Sequence, residues 1–180
     1  DAGYIVSVLV LGQEEHCSEE MKQQISIARH LGVSVFWDNL TGETTFTETS
    51  FSEYSIIVDA IFGIGLSRDV TGVIADYINA INRSAADVLA VDIPSGISAD
   101  TGAVLGTAVK ATITVTFGHN KRGLVLYPGT EYAGQVVVTD IGFPEMVTER
   151  VMKQSQTFTY TKEDISVYFP NRKKRSNKGS

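Results

Sequence analysis

The sequence predicts an α/β fold, a three-layer stack of helices on a mostly parallel sheet with a less regular edge. Two observations carry that expectation. Short apolar runs rich in β-branched residues alternate with segments whose apolar residues recur at helical spacing, the pattern of a parallel sheet covered on both faces. Glycine or proline then interrupts the chain directly after several of the strands, where open α/β sheets carry their ligand sites. The 180 residues, 43% of them hydrophobic, suffice for one substantial core.

The first strand is expected over residues 4–11, a nearly continuous apolar run closed by Gly12. A helix follows: Ser18 can cap it, Glu19 and Glu20 suit its first turn, and Met21, Ile25, Ala28 and Leu31 share a face. Gly32 ends that helix, and residues 33–37 form the next strand. Residues 38–52 are polar and threonine-rich and read as a connection around a short helix or turn. Residues 54–61 make another buried strand that carries Asp59 near its carboxyl end, and a carboxylate there needs a partner or a cation. Thr71 can cap a helix over 73–81 with Val73, Ile74, Tyr77, Ile78 and Ile81 inward. Residues 88–91 are a strand leading into Asp92, and Pro94 and Gly96 stop it. Residues 112–117 alternate as a strand, and 124–127 and 135–139 are expected as two more, separated by Pro128-Gly129 and Ala133-Gly134 turns.

Three loops that follow strands place glycine beside charged or hydroxyl residues. In the first, Gly63, Ile64, Gly65, Leu66, Ser67, Arg68 and Asp69 follow Asp59; backbone N–H groups and the Arg68 guanidinium suit a phosphate, although a lone Gly-x-Gly also marks plain tight turns. The dinucleotide fingerprint Gly-x-Gly-x-x-Gly is not met, since position 68 is Arg. The second loop carries Asp92 and Ser95. In the third, Phe117 to Gly123, Lys121 can meet a phosphate, neutralise Asp92 or lie solvated, and His119 either exchanges protons or is simply exposed. Asp59 and Ser95 would supply oxygen ligands to a hard cation if their strands are neighbours.

Composition narrows the function classes. The net charge of −6 disfavours a nucleic-acid surface, and the basic cluster Arg172, Lys173, Lys174, Arg175 and Lys178 reads by default as a solvated tail. No apolar run approaches the roughly 20 residues of a membrane-spanning helix, so no membrane partner is expected. Cys17 is the single cysteine, which leaves no intrachain disulfide and suggests a reducing, cytoplasmic setting. Asp100-Thr101-Gly102 matches the aspartic-protease tripeptide without a second such carboxylate, and neither zinc spacing nor a Walker loop is present. A chain that opens at Asp1 and enters a strand within about four residues reads as part of something longer.

Five segments in this order carry a resemblance: Asp59-x-x-x-Gly63-x-Gly65-x-x-Arg68, Val91-Asp92-Ile-Pro-Ser-Gly96, Ala99-Asp100-Thr-Gly102, Thr114-Val-Thr-Phe-Gly118-x-x-Lys121-x-Gly123-Leu, and Asp140-Ile-Gly-Phe-Pro144. Over about residues 3–146 the chain resembles the NAD(P)H-hydrate epimerase family. The resemblance implies a Rossmann-like α/β/α sandwich and the interconversion of the R and S forms of hydrated NAD(P)H (NADHX and NADPHX), a damaged cofactor. It implies a potassium ion held by Asp59 and Ser95, a phosphate-side loop over residues 63–69 and a substrate contact at Asp92. Loss and return of hydroxide at C6 further call for a carboxylate beside the cationic nicotinamide, and Asp92 is expected to take that catalytic role, with Lys121 setting its charge state.

Two departures from the family pattern shape the expected organisation. The family's Asn-Asn-Gly-Gly-Asp-Gly loop is not found, and Asp1-Ala-Gly-Tyr4 matches the sequence just after it. The expectation is therefore an epimerase domain over 1–146 lacking its N-terminal part, with an unfilled slot in the sheet that an upstream segment or a second chain would supply. Residues 147–180 are expected as a linker, with Arg172 to Ser180 resembling the lead-in to a fused dehydratase domain. A homodimer stays open. The competing reading is a non-catalytic module of the same fold, of the RNA-decay scaffold or lipoprotein-binding type; retention of Asp59, Asp92, Ser95 and Lys121 favours an enzyme.

Overall fold

The computed structural model describes residues 3–42, 44–154, 157–158, 160 and 164–165. In chain order the elements are β1 (Ser7–Leu11), a 3-10 turn at Glu14–His16, α1 (Glu19–His30), β2 (Ser34–Asp38), α2 (Glu48–Phe51), β3 (Ile56–Asp59), α3 (Gly72–Arg83), β4 (Asp87–Val91), β5 (Ile113–Phe117), α4 (Arg122–Val125), α5 (Gly129–Ala133), β6 (Gln135–Thr139) and α6 (Glu145–Met152). The chain divides into two units, Asp1–Ile141 and Gly142–Ser180. Helix α6 belongs to the second unit; it starts after Pro144 and leaves Met146, Val147 and Val151 exposed. The basic cluster of the tail lies outside the described residues.

Every strand pair is parallel, but the strands form two sheets: β1-β2, and four strands in the order β3-β4-β5-β6. Register places Ile57, Val88, Ala90, Thr114 and Thr116 on one face of the larger sheet. That face is the core: Val88, Ala90, Thr114 and Thr116 are at most 4% exposed. On the opposite face Ile56 and Val58 stand 57% and 60% exposed, so β3 is not covered on both sides as its apolar run suggested. Among the described residues β1 pairs with β2 alone and β3 with β4 alone.

Helix α3 supplies the inner cover. Tyr77, Ile78 and Ile81 are buried among Phe51, Val70, Val88 and Val109, while Val73 and Ile74 pack at the margin of this cluster, close to the expected face. Thr71 takes the N-cap position of α3 but its side chain makes no capping bond. In α1, Ser18 Oγ accepts from Met21 N at 3.2 Å, as its position suggested. The expected apolar face of α1 is only partly realised: Ile25 is buried, whereas Met21 is exposed and Leu31, at the C-cap, is 75% exposed.

The expected strand at 124–127 is a correction. Residues Arg122–Val125 form the helical turn α4 instead. Gly123 lies so close to the 98–99 backbone that a Cβ there would come 2.2 Å from the Ser98 carbonyl oxygen, and Gly123 N donates to Ala99 O at 2.7 Å. That contact turns the chain and plants Leu124 in a second core cluster with Ile93, Ile97, Ala108 and Ala133, leaving Val125, Leu126 and Tyr127 outward. Pro128 then leads into α5 rather than a bare turn.

The smaller sheet is tied to α3 through a buried carboxylate. Asp38, at the end of β2, accepts from Tyr77 Oη, from Leu40 N at 2.7 Å, and from Thr45 N and Oγ1 at 3.1 and 2.9 Å. Burial resists ionisation of Asp38, but these donors outweigh it and hold its pKa down at about 2.

Candidate active site

The polar residues singled out in the sequence lie after the carboxyl ends of three adjacent parallel strands, β3, β4 and β5, the ligand-binding edge of an open α/β sheet. Asp59 is the last residue of β3 and pairs in register with Ala90, two positions before Asp92. Lys121 lies four residues past the end of β5.

Asp59 and Ser95 meet directly, as neighbouring strands require. Asp59 is 1% exposed; it accepts from Ser95 Oγ at 2.6 Å on one oxygen and from Ser95 N at 2.8 Å on the other. Ile61 N adds a longer bond at 3.3 Å. Ser95 Oγ in turn accepts from Phe62 N at 2.8 Å and lies 3.3 Å from the Phe62 carbonyl oxygen. Burial is the dominant influence on Asp59 and pushes its pKa up, against the pull of the Ser95 and Ile61 donors. Among the described residues no ion pair reaches Asp59, and no group of three or more His, Cys, Asp or Glu side chains could hold a metal. The oxygens that gather here, one carboxylate, one hydroxyl and one carbonyl, are hard donors suited to an alkali or alkaline-earth cation rather than to zinc.

The 63–69 loop is open. Leu66 is half-buried and the other six residues are exposed, with Ile64 at 62%. Gly63 and Gly65 have no positive φ, and a Cβ on either would meet nothing within 4 Å. Neither the backbone conformation nor the packing demands glycine there. Asp69 is followed by Val70, whose N–H is fixed on Leu105 O at 3.0 Å, anchoring the far end of the loop.

Asp92 has φ +69°, a left-handed conformation that a non-glycine residue seldom adopts. The distortion turns its carboxylate toward the end of β5. There Asp92 Oδ1 accepts from Lys121 Nζ at 2.5 Å, Thr116 Oγ1 at 3.1 Å and Phe117 N at 3.1 Å. Lys121 Nζ also donates to Phe117 O at 2.9 Å, and both ion-pair side chains are 19% exposed. Burial works against the Asp92 charge, but Lys121, Phe117 and Thr116 together hold its pKa below the ordinary carboxylate value. Of the alternatives for Lys121, the geometry selects the partner of Asp92. His119 is exposed, its backbone N–H donating to Phe117 O at 2.7 Å.

Thr116 and the Phe62 backbone went unnoticed in the sequence. Thr116 left a trace: it is a polar residue on the inward phase of an alternating strand, and a hydroxyl at that depth needs a partner. The Phe62 carbonyl had no such signal, because any residue carries one.

Fold and site together define a Rossmann-like α/β domain whose polar groups collect on the carboxyl edge of a parallel sheet. Residues 1–123 match the family described as YjeF-related protein N-terminus, and the chain belongs to that family. It is similar to the NAD(P)H-hydrate epimerases of Oenococcus oeni, 46% identical over 140 residues that cover 78% of this chain and 62% of the relative, and of Levilactobacillus brevis, 44% identical with 78% and 61% covered. The chain thus spans about three fifths of the length of these relatives. A shorter match, 49% identical over 54% of this chain and 19% of the relative, is to the bifunctional NAD(P)H-hydrate repair enzyme Nnr of Thermofilum pendens. The crystal structure of the yeast protein YNL200c has the same fold, with a TM-score of 0.66 at 18% identity, covering 90% of this chain and 65% of that one. Among the described residues no helix is long and apolar enough to cross a membrane.

Proposed function

We propose that the protein containing this chain epimerises the R and S forms of hydrated NADH and NADPH. The observation that carries this reading is the Asp92 carboxylate, held ionised at positive φ on the ligand edge of the sheet. Its support from kinship is the set of relatives named NAD(P)H-hydrate epimerase at about 45% identity. No observation favours the non-catalytic module.

Epimerisation at C6 of the hydrate breaks and remakes one C–O bond. The hydroxyl leaves with the bonding electron pair, a solvent proton completes it as water, and the nicotinamide ring is left cationic. An ionised Asp92 beside that cation lowers the barrier electrostatically. When water adds to the other face, its surplus proton passes to Asp92 and back to solvent, so the proton balance closes. Lys121 keeps Asp92 ionised between turnovers. Residues 63–69 offer backbone N–H groups and Arg68 to the phosphates of the substrate. Asp59, Ser95 and the Phe62 carbonyl are the groups that would hold a potassium ion, which when bound would supply fixed positive charge to the site. The Thermofilum pendens relative, named as a bifunctional repair enzyme, supports a second activity fused to this one, for which a dehydratase is the candidate; residues 172–180, which resemble its lead-in, lie outside the described residues.

The test is R-to-S exchange followed by proton NMR. Asp92→Asn leaves shape and size intact and removes the charge; we expect turnover to fall at least about a hundredfold. Full turnover in that variant would refute the assignment.

A further inference from the structure

The hydrogen bonds on Asp92 are unevenly divided between its two oxygens. Oδ1 accepts all three recorded donors, Lys121 Nζ, Thr116 Oγ1 and Phe117 N, while Oδ2 accepts none from a described residue. Oδ2 is not buried either, since among the described residues Trp37 Nε1 is the one buried side-chain polar atom without a partner. The three donors come from one short stretch, the end of β5 and the loop after it, and they approach a carboxylate carried by the end of β4. A carboxylate gripped through one oxygen keeps its second oxygen free to meet a ligand.

The donors are not equivalent. The Phe117 N–H is backbone, and Lys121 brings a long, flexible stem. Thr116 is fully buried, is stiff at χ1, and has no charge. Its neighbour on the same face, Thr114, donates to the Ala133 carbonyl at 2.7 Å, tying the sheet to the end of α5. The two buried threonines of β5 thus divide their work: one joins the sheet to a helix, the other aims the carboxylate.

We propose that Asp92 works on its substrate through Oδ2 alone and that Thr116 is the positioning residue that keeps it so, with Oδ1 given over entirely to anchoring. The inference rests on the epimerase reading and specifies which atom of that site acts. It also specifies what Asp92→Asn removes beyond the charge. With three donors facing the Oδ1 position, an asparagine must turn its carbonyl there and present its amide where Oδ2 was, replacing an acceptor by a donor.

The experiment compares Thr116→Val with Thr116→Ser in the protein carrying this chain. Valine keeps the branched shape and removes the donor; serine keeps the donor and loses a methyl. For Thr116→Val kcat falls about ten- to hundredfold with KM changed less than about twofold, the span expected for one hydrogen bond to a charged group. The acid limb of the pH profile moves upward, because a lost donor to the ionised form makes the carboxylate easier to protonate. Thr116→Ser restores both to near the parent values. A carbon-13 NMR titration of the Asp92 carboxyl reads the same contact without any need for turnover: its midpoint rises in Thr116→Val and not in Thr116→Ser. If Thr116→Val matches the parent in kcat, acid limb and NMR midpoint while Asp92→Asn is inactive, the positioning role is overturned and the epimerase reading stands. If Asp92→Asn keeps full turnover, the epimerase reading of the site fails, and the NMR midpoints alone decide whether Thr116 holds the carboxylate.

Discussion

Removing the charge at Asp38 should loosen the smaller sheet from α3 in a pH-dependent way. Asp38 is 7% exposed and its carboxylate receives Tyr77 Oη, Leu40 N and both Thr45 donors. These hold its pKa at about 2, against about 3.9 for an unperturbed aspartate. By linkage that difference is about 2 to 3 kcal/mol of folding stability. The folded pKa is depressed, so the contribution is complete above about pH 4 and is lost as pH falls toward 2, with about half remaining at pH 3. In Asp38→Asn, an amide oxygen can serve Tyr77 and Thr45, but the amide nitrogen then faces the Leu40 N–H, donor against donor. We expect the variant to be less stable by about 2 to 3 kcal/mol at pH 6.5, with the gap to the parent roughly halved at pH 3. Urea unfolding followed through Trp37, the single tryptophan and the residue before Asp38, measures both. A gap that stays constant from pH 6.5 to pH 3, or that lies below about 0.5 kcal/mol at pH 6.5, refutes the reasoning.

Two further outcomes separate fold from function. Gly65→Ala meets open space at an ordinary φ, so its melting temperature should stay within a few degrees of the parent while epimerase turnover drops about tenfold or more; Gly123→Ala, whose Cβ would lie 2.2 Å from Ser98 O, should cost about 3 kcal/mol or more of stability. Potassium chloride should raise the thermal midpoint relative to an equal concentration of choline chloride, and Ser95→Ala should abolish that difference; equal midpoints in the two salts for the parent would remove the cation from the account.

Much of the candidate site was legible because strand ends in a parallel sheet are marked in sequence. A buried run such as residues 88–91 is apolar throughout, so the first carboxylate after it, Asp92, stands out, and Pro94 and Gly96 announce the turn that aims it. Asp59, Ser95 and Lys121 were found by the same logic. The helical turn at Arg122–Val125 was not, because Gly-Leu-Val-Leu fits a strand as well as a helical turn and only the contact of Gly123 with the 98–99 backbone excludes the strand. Leu31 and Met21 sat on the right helical face but at its margins, where periodicity says nothing about the extent of cover.

Local pattern was therefore sufficient for the six parallel strands, the two long helices α1 and α3 and the residues at their ends, though not for the helical turns after β5, because apolar periodicity and turn chemistry act over a few positions along the chain. Only tertiary structure decided which of those residues touch. Asp38 and Tyr77 lie 39 positions apart, Asp59 and Ser95 36, and Thr116 and Asp92 24. Each of these meetings depends on how the strands and helices pack, and on the left-handed turn at Asp92 that brings its carboxylate over the end of the next strand. The choice of Oδ1 as anchor and Oδ2 as the free oxygen belongs to that same geometry, since no sequence distinguishes the two oxygens of a carboxylate.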